Sequence, residues 1–341
     1  MTSPQITFAA NQGDIGGGEV MLLNLATAAR DLGVHVEVVG PRSSGVVAAA
    51  EESGFVVHGL GATRRDYLLA LRRWRGRGQL LWANGLAPAF ATSGQGGRVV
   101  HLHQRPLGKQ AIAARAARVG ARVTLVPSQS SACHVPGARV LQNWTSEVVV
   151  EPRPGRINDR VIGFLGRPSV GKGVVVLAEA VSILAARSDS PPQLVLAGES
   201  HFVAPEEQAL VAVALRSIDG LLERQGWTSP AEFFAHIDLA VFPSTVPESF
   251  GLVAAEAMSA RVPFVVSDAG ALPEVAGPAY PWVARHGDAN VLADMIEAAL
   301  NAPPEETARV VASARDRWEK CFSPDAGRVR LAQLLSDLNV V

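Results

Sequence analysis

Short apolar runs alternate with amphipathic stretches twice along this chain. In the first half, Ile6–Ala10, Val34–Gly40, Phe55–His58, Gln79–Trp82, Val99–Leu102, Val123–Val126 and Arg139–Leu141 read as strands. Glu19–Leu32, Asp66–Arg75 and Gln110–Val119 carry helical spacing between them. Pro152, Pro154 and Gly155 interrupt the pattern, so Val148–Asp159 reads as a linker. The alternation then restarts with strands Val161–Leu165, Leu194–Ala197, Leu239–Phe242 and Phe264–Val266. Helices Val174–Arg187 and Gly251–Ala260 belong to this second series, and Asp288–Leu300, Glu305–Trp318 and Ala326–Leu338 form a helical tail. Repeated βα units with short apolar strands predict α/β architecture with parallel sheets under helices. Two such domains, residues 1–150 and 151–321, are expected to be Rossmann-like and doubly wound, and to face each other across a cleft at the carboxyl ends of their strands.

The 341 residues suffice for two cores, and 48% hydrophobic content argues against disorder. Two distant cysteines, Cys133 and Cys321, imply neither a disulfide framework nor a cysteine-rich metal site. The N-terminus lacks the basic and apolar regions of a signal peptide, and no run approaches the roughly 20 apolar residues of a membrane span. The expectation is a cytoplasmic protein. The net charge of −1 conceals an asymmetry: residues 1–150 carry 15 Lys+Arg against 8 Asp+Glu, the remainder 16 against 24. One basic cluster is Arg64, Arg65, Arg72, Arg73, Arg75 and Arg77, interleaved with Tyr67, Leu68, Leu71 and Trp74; another is Lys109, Arg115, Arg118 and Arg122. Such helices are either solvated faces or attract anionic partners, a membrane surface included. No nucleic-acid-binding module accompanies them, so nucleic acid is not an expected partner.

The densest chemistry lies in Pro243–Met258. An apolar run ends at Pro243, Glu248 follows on a loop, and Ser249, Phe250, Gly251 and Leu252 open a helix that carries Glu256. The first amides of a helix lack intrahelical partners and, with its dipole, attract an anion such as phosphate. Glu256 would stand roughly 8–9 Å beyond Glu248 along the axis. A phosphate flanked by two hydroxyl-binding carboxylates suits a nucleotide sugar, whereas two solvated helix-end charges would be the plain structural reading.

Gly166-Arg167-Pro-Ser-Val-Gly-Lys172-Gly173 nearly spells a P-loop, but Gly173 stands where magnesium requires Ser or Thr. Arg167 and Lys172 are instead expected to converge on a diphosphate as fixed cations, without a metal. Gly13 to Glu19 lies in the first strand-to-helix turn, where Gly17 and Gly18 could let a ligand approach backbone. Its spacing is not a dinucleotide fingerprint, and the second strand ends without a ribose-binding acid. His101 and His103 point to one side of their strand, with His103 nearer its carboxyl end. Two histidines alone make a weak metal site. Glu274, after Asp268 and Gly270, reads as a helix cap.

The series Gly166-Arg-x4-Lys172-Gly, Leu194-Val-Leu-Ala-Gly198-Glu, Glu248-Ser-Phe-Gly-Leu, Glu256-Ala-Met and Gly270-Ala-Leu-Pro-Glu274 resembles the retaining nucleotide-sugar glycosyltransferases of family four. The likeness is specific over residues 161–277 and thinner in the first half, where Gly17-Gly18-Glu19, His103 and Asn143 carry it. It implies a GT-B fold, with a C-terminal helix over 322–341 packing back on the first domain. It also implies donor-sugar contacts at Glu248 and His103, ribose contacts at Glu256, and diphosphate contacts at Arg167, Lys172 and the Phe250–Leu252 amides. Gly17, Gly18, Gly166, Ser249 and Gly198 complete the implied donor site, with no metal or other cofactor. The implied reaction moves a sugar from a nucleoside-diphosphate sugar to an acceptor hydroxyl with retained configuration; the basic first half points to an anionic or membrane-associated acceptor. A nucleotide-sugar epimerase, a P-loop NTPase and a non-catalytic nucleotide-binding protein are the alternatives. The family commonly has glycine where Arg261 stands, Ala271 replaces a common second glycine, and Val20 stands where arginine is frequent.

Overall fold

The computed structural model describes residues 5–74, 80–151, 160–200 and 203–340. Arg75, Arg77 and most of the expected linker lie outside the described residues. The chain divides into two compact units, Met1–Thr145 with Cys321–Val341, and Ser146–Lys320.

The first unit is built on seven parallel strands: β1 Gln5–Ala9, β2 His35–Pro41, β3 Val56–Leu60, β4 Leu80–Asn84, β5 Arg98–His101, β6 Ala121–Val126 and β7 Arg139–Val140. Their order is β3-β2-β1-β4-β5-β6-β7. Helices α1 Gly17–Asp31, α2 Gly45–Glu52, α3 Arg64–Arg73, α4 Leu86–Ala91, α5 Lys109–Ala117 and α6 Gln129–Ala132 connect them. Phe8 and Trp82 are fully buried with ring centroids 5.4 Å apart, and Met21, Leu22 and Leu25 of α1 pack into the same core.

The second unit holds six parallel strands: β8 Val161–Leu165, β9 Gln193–Ala197, β10 Leu222–Gly226, β11 Leu239–Phe242, β12 Phe264–Ser267 and β13 Val283–Ala284. They are ordered β10-β9-β8-β11-β12-β13. Its helices are α7 Val174–Arg187, α8 Pro205–Arg216, α9 Pro230–His236, α10 Leu252–Ser259, α11 Leu272–Ala276, α12 Ala289–Leu300 and α13 Pro304–Cys321. Leu177, Val181 and Leu184 of α7 and Leu292 and Ile296 of α12 bury against Ile162, Leu194, Leu239 and Val265. Each such side chain contributes about 1.5–3 kcal/mol by leaving water. The chain ends in α14, Pro324–Asp337, whose Leu331, Leu334 and Leu335 join the core of the first unit.

Several elements do not show in the hydropathy pattern: α2, α4, α6, α8, β10, α9, α11 and β13. β10 is an edge strand reading Leu-Glu-Arg-Gln-Gly, so it has no apolar alternation. In α8, Val211 and Leu215 are buried while Leu210 and Val213 are exposed, which blurs its amphipathic stripe.

Candidate sugar-nucleotide site

Strand order reverses between β8 and β11 in the second unit, and between β1 and β4 in the first. Ligands of doubly wound sheets bind beyond the carboxyl ends of the strands at such a switch point. Lys172 lies on the loop after β8, and Glu248 on the loop after β11. Lys172 Nζ donates to Glu248 Oε1 at 2.5 Å. Ser244, buried at the end of β11, donates through Oγ to the same oxygen at 2.6 Å. Ser267 Oγ in turn donates to the Ser244 carbonyl at 2.7 Å. Glu248 also exchanges backbone bonds with the next loop, its carbonyl accepting from Ala271 N at 2.9 Å and its amide donating to Ala269 O at 3.4 Å. Gly270 has a φ of 66° there and lies against the Glu248 backbone, so a Cβ would overlap it.

Several amides of the Gly166–Gly173 loop are already bonded within the protein. Val170 N and Gly171 N donate to Glu207 Oε1 at 2.7 and 3.3 Å, and Lys172 N donates to Ser169 Oγ at 3.2 Å. Gly173 has a φ of 77°, and a Cβ on it would occupy the Pro243 carbonyl. No hydroxyl-bearing side chain fits that position. This opposes the P-loop alternative on steric grounds, beyond the missing residue type. Gly166 N and Gly198 N are also used, donating to Ala197 O at 3.0 Å and Gly226 O at 2.5 Å. Arg167 is exposed and pairs with no carboxylate among the described residues. The structure therefore brings Lys172 to Glu248 and leaves Arg167 in solvent.

Phe250 is buried, Ser249 is half-buried, and Gly251 caps α10 with a φ of 97°. Ala254 and Ala255 donate to Gly251 O, which leaves the earlier amides of Leu252 and Val253 ahead of the helical ladder. Glu256 follows on α10; although the residue is only half-buried, burial pushes its carboxyl up to about 7. Glu274 stands in the first turn of α11, where an acid favours the helix dipole.

In the first unit, Asn84 at the end of β4 donates through Nδ2 to Gly18 O at 2.8 Å, and its Oδ1 lies 2.7 Å from His103 Nε2. The carbonyl partner fixes the amide's orientation, so Oδ1 is the acceptor and His103 carries its proton on Nε2. A Cβ on Gly18 would meet this imidazole at van der Waals distance. Burial lowers the His103 ring to about 4, so it is neutral at physiological pH. His101 is wholly buried, its ring centroid 4.1 Å from that of His103, and burial holds it well below the usual imidazole range. It belongs to the core. Gly17 is exposed at the start of α1.

Glu19, read in the sequence as opening a helix and as part of the Gly17-Gly18-Glu19 likeness, is buried beside Gly16. Burial raises its carboxyl to about 7, against the pull of the amides of Glu19, Gly16, Gln12 and Asn11. The amides of Asn11, Gln12, Gly16 and Glu19 thus point at the loop's own carboxylate, and those of Gly17 and Gly18 are not among them. Asn84, Ser244 and Glu207 were not anticipated. A polar residue ending an apolar strand is the signal that could have found the first two.

Among the described residues no group of three His, Cys, Asp or Glu could hold a metal ion, and no helix is long and apolar enough to cross a membrane. Residues 151–317, just under half of the chain, match the family model described as glycosyl transferases group 1. A stretch of 128 residues is 35% identical to the MMP alpha-(1->4)-mannosyltransferase of Mycolicibacterium hassiacum, covering 38% of this chain and 30% of that protein. The whole fold is similar to Anabaena Alr3699/HepE, solved in complex with UDP-glucose, with a TM-score of 0.81 at 21% identity over 98% of this chain and 100% of that one. It is also similar to sucrose-phosphate synthase of Thermosynechococcus elongatus, with a TM-score of 0.80 at 17% identity over 98% and 99% of the two chains. The fold is GT-B: two Rossmann-like α/β domains with parallel sheets.

Proposed function

We propose that the protein is a retaining glycosyltransferase of family four that moves a sugar from a nucleoside-diphosphate sugar to an acceptor hydroxyl. The observation that carries this is the Lys172–Glu248 pair at 2.5 Å, at the strand switch of a glycosyl transferases group 1 domain. The relative's mannosyltransferase name and the UDP-glucose bound to the Anabaena protein are consistent with a sugar-nucleotide donor. Glu248 accepts from donor-sugar hydroxyls and Glu256 from the ribose. Lys172, Arg167 and the amides at the tip of α10 hold the diphosphate. His103, fixed by Asn84, is assigned a sugar hydroxyl.

In the reaction, the bond from the anomeric carbon to the β-phosphate oxygen breaks and its electron pair leaves with the diphosphate. Lys172 and Arg167 stabilise that charge. The acceptor oxygen bonds the anomeric carbon on the same face, and its proton passes to the leaving phosphate oxygen. No metal takes part in this scheme.

The acceptor is proposed to be anionic or membrane-associated. Between Asp66 and Glu147 the sequence has eleven Lys or Arg and no Asp or Glu. In this stretch α3, α4 and α5 expose Leu69, Phe90 and Ile112 beside Arg73, Lys109 and Arg115. Arg73→Glu with Arg115→Glu should slow transfer to the natural acceptor at low salt; transfer unaffected by either salt or reversal removes this part.

The testing experiment is a thermal-shift panel of UDP-, GDP-, ADP- and TDP-sugars, followed by product analysis of the anomeric configuration. A ligand at about 100 times its dissociation constant adds roughly 2.7 kcal/mol of stability. One donor should stand out and yield a product of the donor's own anomeric configuration, with EDTA leaving the rate unchanged. Absence of any shift across the panel sinks the proposal.

A further inference from the structure

The turn that delivers Lys172 is built by residues outside its own loop. Glu207 Oε1 accepts from two consecutive amides, Val170 N at 2.7 Å and Gly171 N at 3.3 Å. On the other side, Thr245 Oγ1 donates to Val170 O at 2.9 Å and Thr245 N to Gly171 O at 3.0 Å. Both backbone polar groups of both residues are thereby bonded. Lys172 comes next in the chain and reaches Glu248.

Glu207 is the third residue of α8, where a carboxylate ordinarily serves its own helix's first amides. Here the cap position is Ala204, without a side-chain cap, and the Glu207 carboxylate reaches the neighbouring loop instead. A negative charge on these amides removes them as anion ligands and opposes an anion nearby. A loop meant to cradle phosphate with its backbone would not carry it. The arrangement makes sense if the loop contributes side-chain cations, of which Lys172 is the one the clamp aims. A carboxylate hydrogen bond to backbone amides is worth more than a neutral one, and a 1 Å error in a charged group's placement is felt strongly in a transition state.

We infer that Glu207 is a positioning residue for Lys172: by clamping Val170 and Gly171 it sets where the ammonium meets the leaving diphosphate. This rests on the donor-site reading given above, and it makes the diphosphate a ligand of side chains and of the α10 tip, not of the clamped Val170 and Gly171 amides.

The test uses the full chain as Glu207→Ala, Glu207→Gln and Thr245→Val. The first readout is amide hydrogen exchange at Val170 and Gly171, which needs no ligand. Glu207→Ala should speed exchange there by about tenfold or more while the β8 amides stay protected, and Glu207→Gln, whose amide oxygen can accept the same bonds, should restore much of the protection. The second readout is calorimetric affinity for UDP and UMP, or for whichever base the wild type binds. Positioning predicts that Glu207→Ala weakens the diphosphate by about tenfold with little change for the monophosphate, and lowers kcat more than it raises KM. Thr245→Val, which loosens the turn from its other side, should shift the same ratio and covers the case in which Glu207→Ala does not fold. Unchanged exchange at Val170 and Gly171 overturns the inference, as does equal weakening of di- and monophosphate, or a Glu207→Gln as impaired as Glu207→Ala. A wild type that binds no nucleotide overturns the donor site instead, and the exchange data then decide the clamp alone.

Discussion

Lys172 Nζ and Glu248 Oε1 lie 2.5 Å apart, so the two charges assigned to opposite ends of a glycosyl–phosphate bond neutralise each other in this arrangement. Binding must exchange this pair for Lys172–phosphate and Glu248–hydroxyl contacts. The two substitutions should therefore act differently. Lys172→Ala should lower kcat by about 100-fold or more, because charge on the departing diphosphate loses its nearest cation. Glu248→Gln should also cost turnover, yet it frees the ammonium, so affinity for the bare nucleoside diphosphate should rise several-fold. Calorimetry and steady-state rates on both variants decide this; a Glu248→Gln protein that binds UDP or GDP more weakly than wild type contradicts it.

Glu256 supplies a pH prediction. Burial raises its carboxyl to about 7, and a diol is better held by the ionised form. Affinity for an intact sugar nucleotide, whose diphosphate does not titrate in this range, should increase from pH 6 to pH 8. Glu256→Gln should flatten that dependence and bind weakly throughout. A slope that survives the substitution assigns the titration elsewhere.

What the sequence made legible was the set of residues that punctuate strand ends, because glycine, proline and charge at those points stand out against apolar runs. Glu248, Lys172 and Gly270 belong to that set. Glu207 was illegible for two reasons. Its helix α8 exposes Leu210 and Val213, so helical periodicity is weak, and its partners lie 37 and 36 residues away with no local trace of the pairing. The same carboxylate occupies the Val170 and Gly171 amides, which the loop's composition does not reveal. Asn84 shows the intermediate case: a polar end to Leu80–Ala83 is visible, but its bond to Gly18 needs the β1–β4 adjacency.

Glu19 couples the first unit's stability to pH. Its folded value of about 7 exceeds the usual 4.5, so its contribution is complete below about pH 4.5 and is lost as pH rises through 7. The loss amounts to up to about 3 kcal/mol at pH 8. His103 works in the other direction: with a folded value near 4 against 6.5, its contribution is present above 6.5 and lost as pH falls through 4. Glu19→Gln isolates the first effect. It should match wild type at pH 5 and raise the melting temperature by roughly 3–6 °C at pH 8. A pH-independent difference would mean that the substituted amide repacks the glycine loop and not that ionisation is relieved.

Arg261 offers a test of backbone strain away from the charged groups. It follows the C-cap of α10 with a φ of 59°, the left-handed region that favours glycine, which the family it resembles commonly has there. The hydrogen bonds are those of a Schellman turn, Val262 N to Ala257 O at 3.1 Å and Arg261 N to Met258 O at 3.3 Å. An L side chain in this conformation costs about 1–2 kcal/mol, whereas glycine adds roughly 0.5–1 kcal/mol of unfolded-state entropy. Arg261→Gly should therefore stabilise the protein by about 0.5–1 kcal/mol, seen as a higher urea midpoint at unchanged m-value. Arg261 is exposed but near Glu319, whose carboxyl is lowered chiefly by a hydrogen bond from Arg315 and in smaller part by Arg261. If that attraction outweighs the strain, the glycine variant will be less stable, and the loss will vanish in a Glu319→Gln background. Because Glu256 lies on the helix this turn terminates, donor affinity measured alongside should stay unchanged; a shift in affinity would mean that the turn sets the pitch of α10 as well as its end.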